Sequence, residues 1–252
     1  MKIQLIRHAT LVLTMKEKKI LIDPMLNPKH TLEAIEHVPI TDKNPLVDLP
    51  FKAETILDCD GILITHTHRD HFSGLTPDQL PDRIPLFCQP EDEEKIKESG
   101  FQTVIPVTDS LEWEGITLTR TRGRHGYGDI AAKMAPVSGF IISSHNEPVV
   151  YLTGDTVWCT YVKNALLKYR PQIVIGYCGE AKFSYGRPIT LNAQDVLSIC
   201  RQARNSKVVA VHMEAWNHCR LTRKELREFT RKHHIDNRVY IPEDGESIEF
   251  YS

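Results

Sequence analysis

The chain has 252 residues, of which 41% are hydrophobic and 25% charged, with a formal net charge of -2. That length buries a substantial core as one large domain or two small ones, and the near-balanced charge excludes the strongly basic field of a protein built to bind nucleic acid or an anionic membrane. No apolar run approaches the roughly 18–20 residues that a spanning helix needs, the opening Met1-Lys2-Ile3-Gln4-Leu5-Ile6-Arg7 is too short and too polar for a signal peptide, and the scattered cysteines, with no Cys-x-x-Cys pair, fit a reduced, cytoplasmic protein.

In chain order, Ile3–Ile6, Leu11–Leu13 and Lys19–Ile22 read as strands, the last ending in Asp23-Pro24. Residues 25–60 change character. Prolines recur at 28, 39, 45 and 50 and few apolar positions are periodic, so this is an irregular segment expected to act as a lid or an interface. Gly61-Ile62-Leu63-Ile64 is an apolar run suited to a buried strand. Pro85–Cys88 follows as a strand, and Glu91–Ser99 as a charged helix ended by Gly100. Ile116–Thr121 alternates as a strand should, and Gly139–Ser143 and Pro148–Leu152 form a pair around a turn at residues 144–146. Helix 161–169, strand 172–175, helix 192–203 and strand 207–211 follow. Thr222-Arg223-Lys224-Glu225 is a capping box that opens a helix to about residue 234. Strands 238–241 and 247–250 close the chain. Runs of strands that later alternate with helices predict an α/β protein, one domain over residues 1–252 with sheets covered outside by helices. No linker or internal repeat is evident.

The densest chemical signal is Thr65-His66-Thr67-His68-Arg69-Asp70-His71, directly after the apolar run that ends at Ile64. Neutral imidazoles and carboxylates are the ligand set of zinc and similar divalent metals. Buried imidazoles would each need their own hydrogen-bond partner, so packing alone accounts poorly for such a cluster. Ligands gather outside the carboxyl ends of strands in α/β sheets, and three later strand ends each carry one more ligand-type residue: His125, Asp155 after Gly154, and His212.

The His-x-His-x-Asp-His motif (His66, His68, Asp70, His71), followed in order by His125, Asp155 and His212, resembles the metallo-β-lactamase superfamily over essentially the whole chain. The resemblance implies a four-layer αβ/βα sandwich, two sheets inside and helices outside, with metal at one edge. It implies that His66, His68 and His125 bind one ion, Asp70, His71 and His212 a second, and that Asp155 bridges both. A bridging aspartate is similar to the phosphoesterase and lactonase branches and unlike true β-lactamases. His8-Ala9-Thr10, Ile22-Asp23-Pro24 and the segment His212–His218 look like the branch that holds L-ascorbate-6-phosphate lactonase and relatives of N-acyl-phosphatidylethanolamine phospholipase D.

The expected function is therefore metal-dependent hydrolysis of a small phosphoester or lactone. Two divalent ions about 3.5–4 Å apart lower the pKa of a bridging water toward neutrality and polarise the group under attack. Zinc is the first expectation, with manganese or iron as alternatives. Asp70 and Asp155 are placed to orient the attacking water. Asp23 is the first candidate to accept the second N–H of a ligand histidine, the alternative being a turn aspartate before Pro24. Glu214 either does that job, contacts substrate or is a solvated acid. His8 and His218 are candidate proton donors, or ordinary polar residues. Tyr177, Cys178 and Glu180 line the pocket or merely pack. A small-molecule substrate is expected and no nucleic acid or membrane, with a homo-oligomer left open. A nuclease, a redox di-iron protein and a non-catalytic metal-binding module are the rival readings on the same fold.

Overall fold

The computed structural model describes residues 1–250. β1 (Lys2–Arg7), β2 (Thr10–Met15), β3 (Lys18–Ile22), β4 (Gly61–Ile64), β5 (Leu86–Cys88) and β6 (Val104–Pro106) build one sheet. β7 (Ser110–Trp113), β8 (Ile116–Arg122), β9 (Ser138–Ser144), β10 (Val150–Leu152), β11 (Ile173–Tyr177), β12 (Lys207–Val211) and β13 (Val239–Tyr240) build the other. β14 (Ser247–Glu249) returns to pair with β1, giving seven strands in each sheet. The helices are α1 (Ala53–Ile56), α2 (Glu93–Glu98), α3 (Asp129–Met134), α4 (Thr160–Tyr169), α5 (Ala193–Gln202) and α6 (Arg223–Lys232).

The two sheets share one plan. Antiparallel strands come first (β1 to β3, β7 to β10), and parallel strands follow (β3 to β6, β10 to β13). Sequence reading finds no repeat; the topology nevertheless has one, because a shared strand order constrains hydrogen bonding and burial without requiring shared side chains. The plan has a chemical consequence. β1, β3 and β4 run the same way in the first sheet, as β8, β10, β11 and β12 do in the second, so each set of carboxyl ends opens on one edge of its sheet.

The strands read as unbroken apolar runs because both faces are buried. Ile20, Ile22, Leu63, Ile173, Ile175, Val209 and Val211 point between the sheets. Leu21, Ile62 and Ile64 meet the outer layer on one side. Val174, Val208 and Ala210 meet the other, with Val162 and Leu166 of α4, Val196 of α5 and Leu226 of α6. The result is the expected four-layer αβ/βα sandwich. Each fully buried large aliphatic contributes about 1.5–3 kcal/mol relative to exposure.

Local differences from the sequence reading have physical causes. The predicted helix at Glu91 begins as a 3₁₀ turn, Pro90–Asp92, before α2, and Gly100 at φ +96° follows its end. β6, β7 and α3 were not legible: β6 and α3 bury none of their residues fully, so no periodic pattern marks them. Residues 25–60 hold α1 and a strap that bonds to the rest of the fold. Arg7, 0% exposed, donates to the carbonyls of Met25, Asn27 and Val47. Leu32 and Asn44 exchange backbone hydrogen bonds of 2.7 Å, and Leu46 N–H donates to Ala215 O. The segment is thus bonded to the rest of the fold at several points.

Candidate metal centre

Each predicted ligand sits at a strand's carboxyl end. β4 delivers the loop that holds His66, His68, Asp70 and His71. His125 follows β8, Asp155 follows β10 and His212 follows β12 directly. The turn to Asp155 depends on Gly154, at φ +61°, where a Cβ would come within 2.2 Å of Ser138 O. His8, Asp23, His212 and Glu214 also adopt positive φ, which costs a non-glycine residue energy that the packed surroundings must supply.

The ligand atoms fall into two groups that share Asp155. His66, His68, His125 and Asp155 form one, and Asp70, His71, Asp155 and His212 the other, with the atoms of each group within 4.8 Å of one another. In the first, His66 Nε2 lies 3.0 Å from His68 Nδ1, and His125 Nε2 lies 3.2 Å from Asp155 Oδ2. In the second, His212 Nε2 is 3.3 Å from His71 Nε2 and 3.3 Å from Asp155 Oδ1, and Asp70 Oδ2 is 3.4 Å from His212 Nε2. Asp155 is 1% exposed, and among the described residues neither of its oxygens has a partner in hydrogen-bond geometry. A buried carboxylate left so is costly unless a cation meets it. The donor set, its spacing and this orphaned carboxylate fit divalent metal.

The residues behind the ligands fix which ring nitrogen faces inward. Asp23 Oδ2 accepts from His71 Nδ1 at 2.8 Å, from Thr65 Oγ1 at 2.8 Å and from Tyr177 Oη at 2.7 Å, and its Oδ1 accepts from Thr65 N–H at 2.7 Å. Thr65 spends its hydroxyl proton on Asp23, so at 3.1 Å it accepts from His66 Nδ1. The Ile189 carbonyl, which can only accept, takes the Nδ1 proton of His125 at 2.9 Å. Nε2 of His66, His71 and His125 is thereby left as the inward ligand atom. His212 Nδ1 meets Cys219 Sγ at 3.7 Å. Asp92 accepts from the Thr67 N–H and hydroxyl at 3.0 and 2.8 Å and so braces the His-x-His turn.

Electrostatics point the same way. Burial by itself pushes the Asp155 carboxyl up, but His212, His71 and His125 outweigh it and hold it well below the usual carboxylate range. Asp70 is likewise held low, burial being outweighed by His71 and by hydrogen bonds from His212 and His8. Burial opposes charge on His71, yet Asp155, Asp70 and Asp23 hold it well above its usual value. His212 is raised to about 10, burial being outweighed chiefly by Asp155. The carboxylates thus hold protons on His71 and His212 until a metal takes their place, whereas burial pushes His66 and His68 below their usual value.

The structure separates the alternatives left open for the remaining candidates. His8 is fully buried, its ring tilted against that of His212 with centres 3.7 Å apart and its Nε2 3.4 Å from Asp70 Oδ2, but it does not line the cavity beside the ligands. Its contacts are with Asp70 and His212, which fit a residue that steadies Asp70. Glu214 lies two residues from His212, but the left-handed backbone there turns it away, and its carboxylate pairs with Arg223. Tyr177 supports Asp23 and stacks on His71 and His212 with ring centres 5.5 Å apart, and does not line the cavity. Cys178 is buried on the outer side of its sheet, and the half-buried Glu180 is also absent from the cavity wall. His218 does line it, with Nε2 3.8 Å from Asp70 Oδ2 and Nδ1 without a partner among the described residues.

Residues 18–213 match the family described as the beta-lactamase superfamily domain. The chain belongs to that family. It is 36% identical to the UPF0173 protein YddR of Bacillus subtilis, over 99% of this chain and 100% of that one. A UPF0173 metal-dependent hydrolase of Thermoplasma acidophilum, Ta0764, is 23% identical over 92% of each chain. Among solved structures, the isothiocyanate hydrolase from Delia radicum gut bacteria superposes with a TM-score of 0.94 at 34% identity, covering 100% of both chains. Family membership and the His/Asp cluster make this chain a metal-dependent hydrolase of the metallo-β-lactamase fold.

The family's ligands were legible in the sequence, but the cavity beside them was not. It measures about 340 Å³, and His68, Asp70, His125 and His218 line it together with Ile35, Met134, Phe183, Ile189 and Trp216. These apolar residues come from distant segments, and no local pattern announces them. Thr65 and Asp92 also escaped notice. Adjacency to His66 could have flagged Thr65, whereas Asp92 carries no sequence signal beyond a place at a helix start. Among the described residues no helix is long and apolar enough to cross a membrane.

Proposed function

We propose that this chain is a dinuclear hydrolase of a small, uncharged, apolar electrophile, with isothiocyanates the leading substrate class. The observation that carries this reading is the apolar cavity opening onto both ligand groups. Two cationic residues, Arg69 and Lys95, also line it, and both bond neutral groups. Lys95 Nζ donates to Thr67 O and Oγ1 at 3.1 and 2.9 Å. The Arg69 guanidinium lies 5.9 Å from the centre of the Trp216 ring and donates to Glu33 O. Neither is paired with a carboxylate among the described residues, so both keep their charge at the rim, and it is the apolar surface of Ile35, Met134, Phe183, Ile189 and Trp216 that favours a neutral substrate over the phosphoester expected from sequence. The activity named for the full-length relative at 34% identity supports the isothiocyanate class, and a lactone remains the rival.

Two divalent ions held in the two groups would supply an activated water at neutral pH and polarise the electrophile. The chain's own residues do the rest. Asp70 and Asp155 orient the attacking water by accepting its hydrogen bond. Ile35, Phe183 and Trp216 enclose the organic substituent and exclude bulk water. His218 stands on the cavity wall with no partner at Nδ1 among the described residues, and burial lowers its pKa to about 4, so as a neutral imidazole it would take a proton from the attacking water and pass it to the departing nitrogen. The balanced reaction is R–N=C=S + H₂O → R–NH₂ + O=C=S. The water oxygen bonds to carbon, the C–N bond breaks, and both water protons end on nitrogen.

The test is turnover by zinc- and manganese-loaded protein on allyl and benzyl isothiocyanate, a γ-lactone and a phosphodiester, with amine release measured directly. Isothiocyanate turnover that His218→Gln lowers by about 10²-fold or more, with metal content unchanged, is the expected result. Lactone or phosphodiester turnover with none on isothiocyanates would overturn the substrate class.

A further inference from the structure

We infer that Asn217 is the positioning residue that holds the strap of residues 31–44 as a fixed, size-selecting wall of the cavity. This deepens the functional reading above and rests on it for the choice of substrates. Asn217 is 0% exposed and lies between Trp216 and His218, both of which line the cavity. Its side chain has no spare hydrogen-bonding atom. Oδ1 accepts from Ile35 N–H at 3.1 Å and from Asn44 Nδ2 at 2.9 Å, while Nδ2 donates to Ile35 O at 3.0 Å and to Ile40 O at 2.7 Å. Its backbone N–H donates to Asn44 Oδ1 at 2.9 Å, so the two asparagines bond reciprocally. Reversing the amide would set its hydrogens against the Ile35 N–H, so only one orientation serves.

These bonds span up to 182 residues of sequence and reach three strap residues, Ile35, Ile40 and Asn44, of which Ile35 lines the cavity. No regular secondary structure holds residues 33–43, so the strap's position depends on such ties. Two others are the bond from Ser184 N–H to His37 O at 2.6 Å and the weak one from Arg69 to Glu33 O, while the backbone pair Leu32–Asn44 closes the strap on itself. Asn217 is the tie that joins the strap to the segment carrying Trp216 and His218. It thereby sets the distance across the cavity between Ile35 on one side and the wall of Trp216 and His218 on the other. Asparagine suits the task because one planar group offers two donors and two acceptor sites in a fixed frame.

The experiment compares metal-loaded wild type, Asn217→Ala and Asn44→Ala. The second variant breaks the same tie from the strap side and decides the matter should the first not fold. Hydrogen exchange is read at the amides of Leu32, Ile35 and Asn44 and, as a control, at Ile62, Leu63 and Ile64. Steady-state kinetics are read on allyl and 1-naphthyl isothiocyanate. The expected result is exchange at least tenfold faster in the strap with the control amides unchanged. The allyl-to-naphthyl ratio of kcat/KM should shift at least fivefold through KM, while kcat on the allyl compound stays within about twofold. Unchanged strap exchange overturns the inference whatever the substrate proves to be. A loosened strap with an unchanged ratio reduces Asn217 to a structural residue and also overturns it. Wild type inert toward both isothiocyanates refutes the functional reading instead, and strap exchange together with the same size ratio on short- and long-chain lactones then decides Asn217.

Discussion

Asp23→Asn probes the claim that one buried carboxylate sets the ligand geometry. Asp23 is 0% exposed and accepts four hydrogen bonds of 2.7–2.8 Å. Asparagine keeps the shape. Its least harmful orientation leaves the oxygen facing Thr65 Oγ1, His71 and Tyr177 and sets the amide nitrogen against Thr65 N–H. One bond becomes a donor–donor clash, and three lose their ionic partner, which roughly halves their strength. An orphaned buried donor costs about 1–3 kcal/mol. With the weakened bonds the metal-free protein should lose roughly 2–4 kcal/mol, which for a chain of this size lowers Tm by about 4–16 °C. Removing a ligand's outer partner costs about 10–100-fold in metal affinity. The assay is zinc competition against a chromophoric chelator, at several pH values. Asp23 helps hold His71 well above its usual pKa, so in the wild type metal must displace a proton from His71, at a cost that grows as pH falls. The variant lacks part of that cost, so its deficit should be largest at alkaline pH and shrink toward acid. An affinity within twofold of wild type at pH 8.5 would refute the argument and leave Asp23 as a folding residue.

Other outcomes follow from the same geometry. Asp155→Ala should abolish binding in both ligand groups, whereas His68→Ala should remove about one equivalent of metal and leave the Asp70–His71–His212 group loaded, as metal content after gel filtration will show. Gly154→Ala should cost the shared ligand its place, because its Cβ would meet Ser138 O at 2.2 Å; loss of metal with a lowered Tm is expected, and a variant that binds metal normally would contradict the turn's role. Metal at 100 times its Kd should stabilise the wild type by about 2.7 kcal/mol, and chelation should reverse the gain in a thermal melt. Protons should be released on metal binding near neutral pH, since His71 and His212 carry them in the metal-free protein, and a pH indicator in weak buffer measures the release.

The sequence by itself determined the buried strands, the capped helix at Thr222 and the His/Asp residues that the fold gathers. Each is a local statement: apolar runs need two buried faces, a Thr-x-x-Glu step satisfies its own helix end, and imidazoles packed after a strand have few uses besides metal. Tertiary structure alone decided the partners. Glu214 was a fair candidate by its distance from His212 along the chain, yet one left-handed residue points it at Arg223. His8 and His218 looked alike, but the fold encloses one behind His212 and sets the other on the cavity wall. Asp23 reaches Tyr177 across 154 positions, and Asn217 reaches Ile35 across 182. Such bonds depend on how two sheets close over each other, and no spacing along the chain records that.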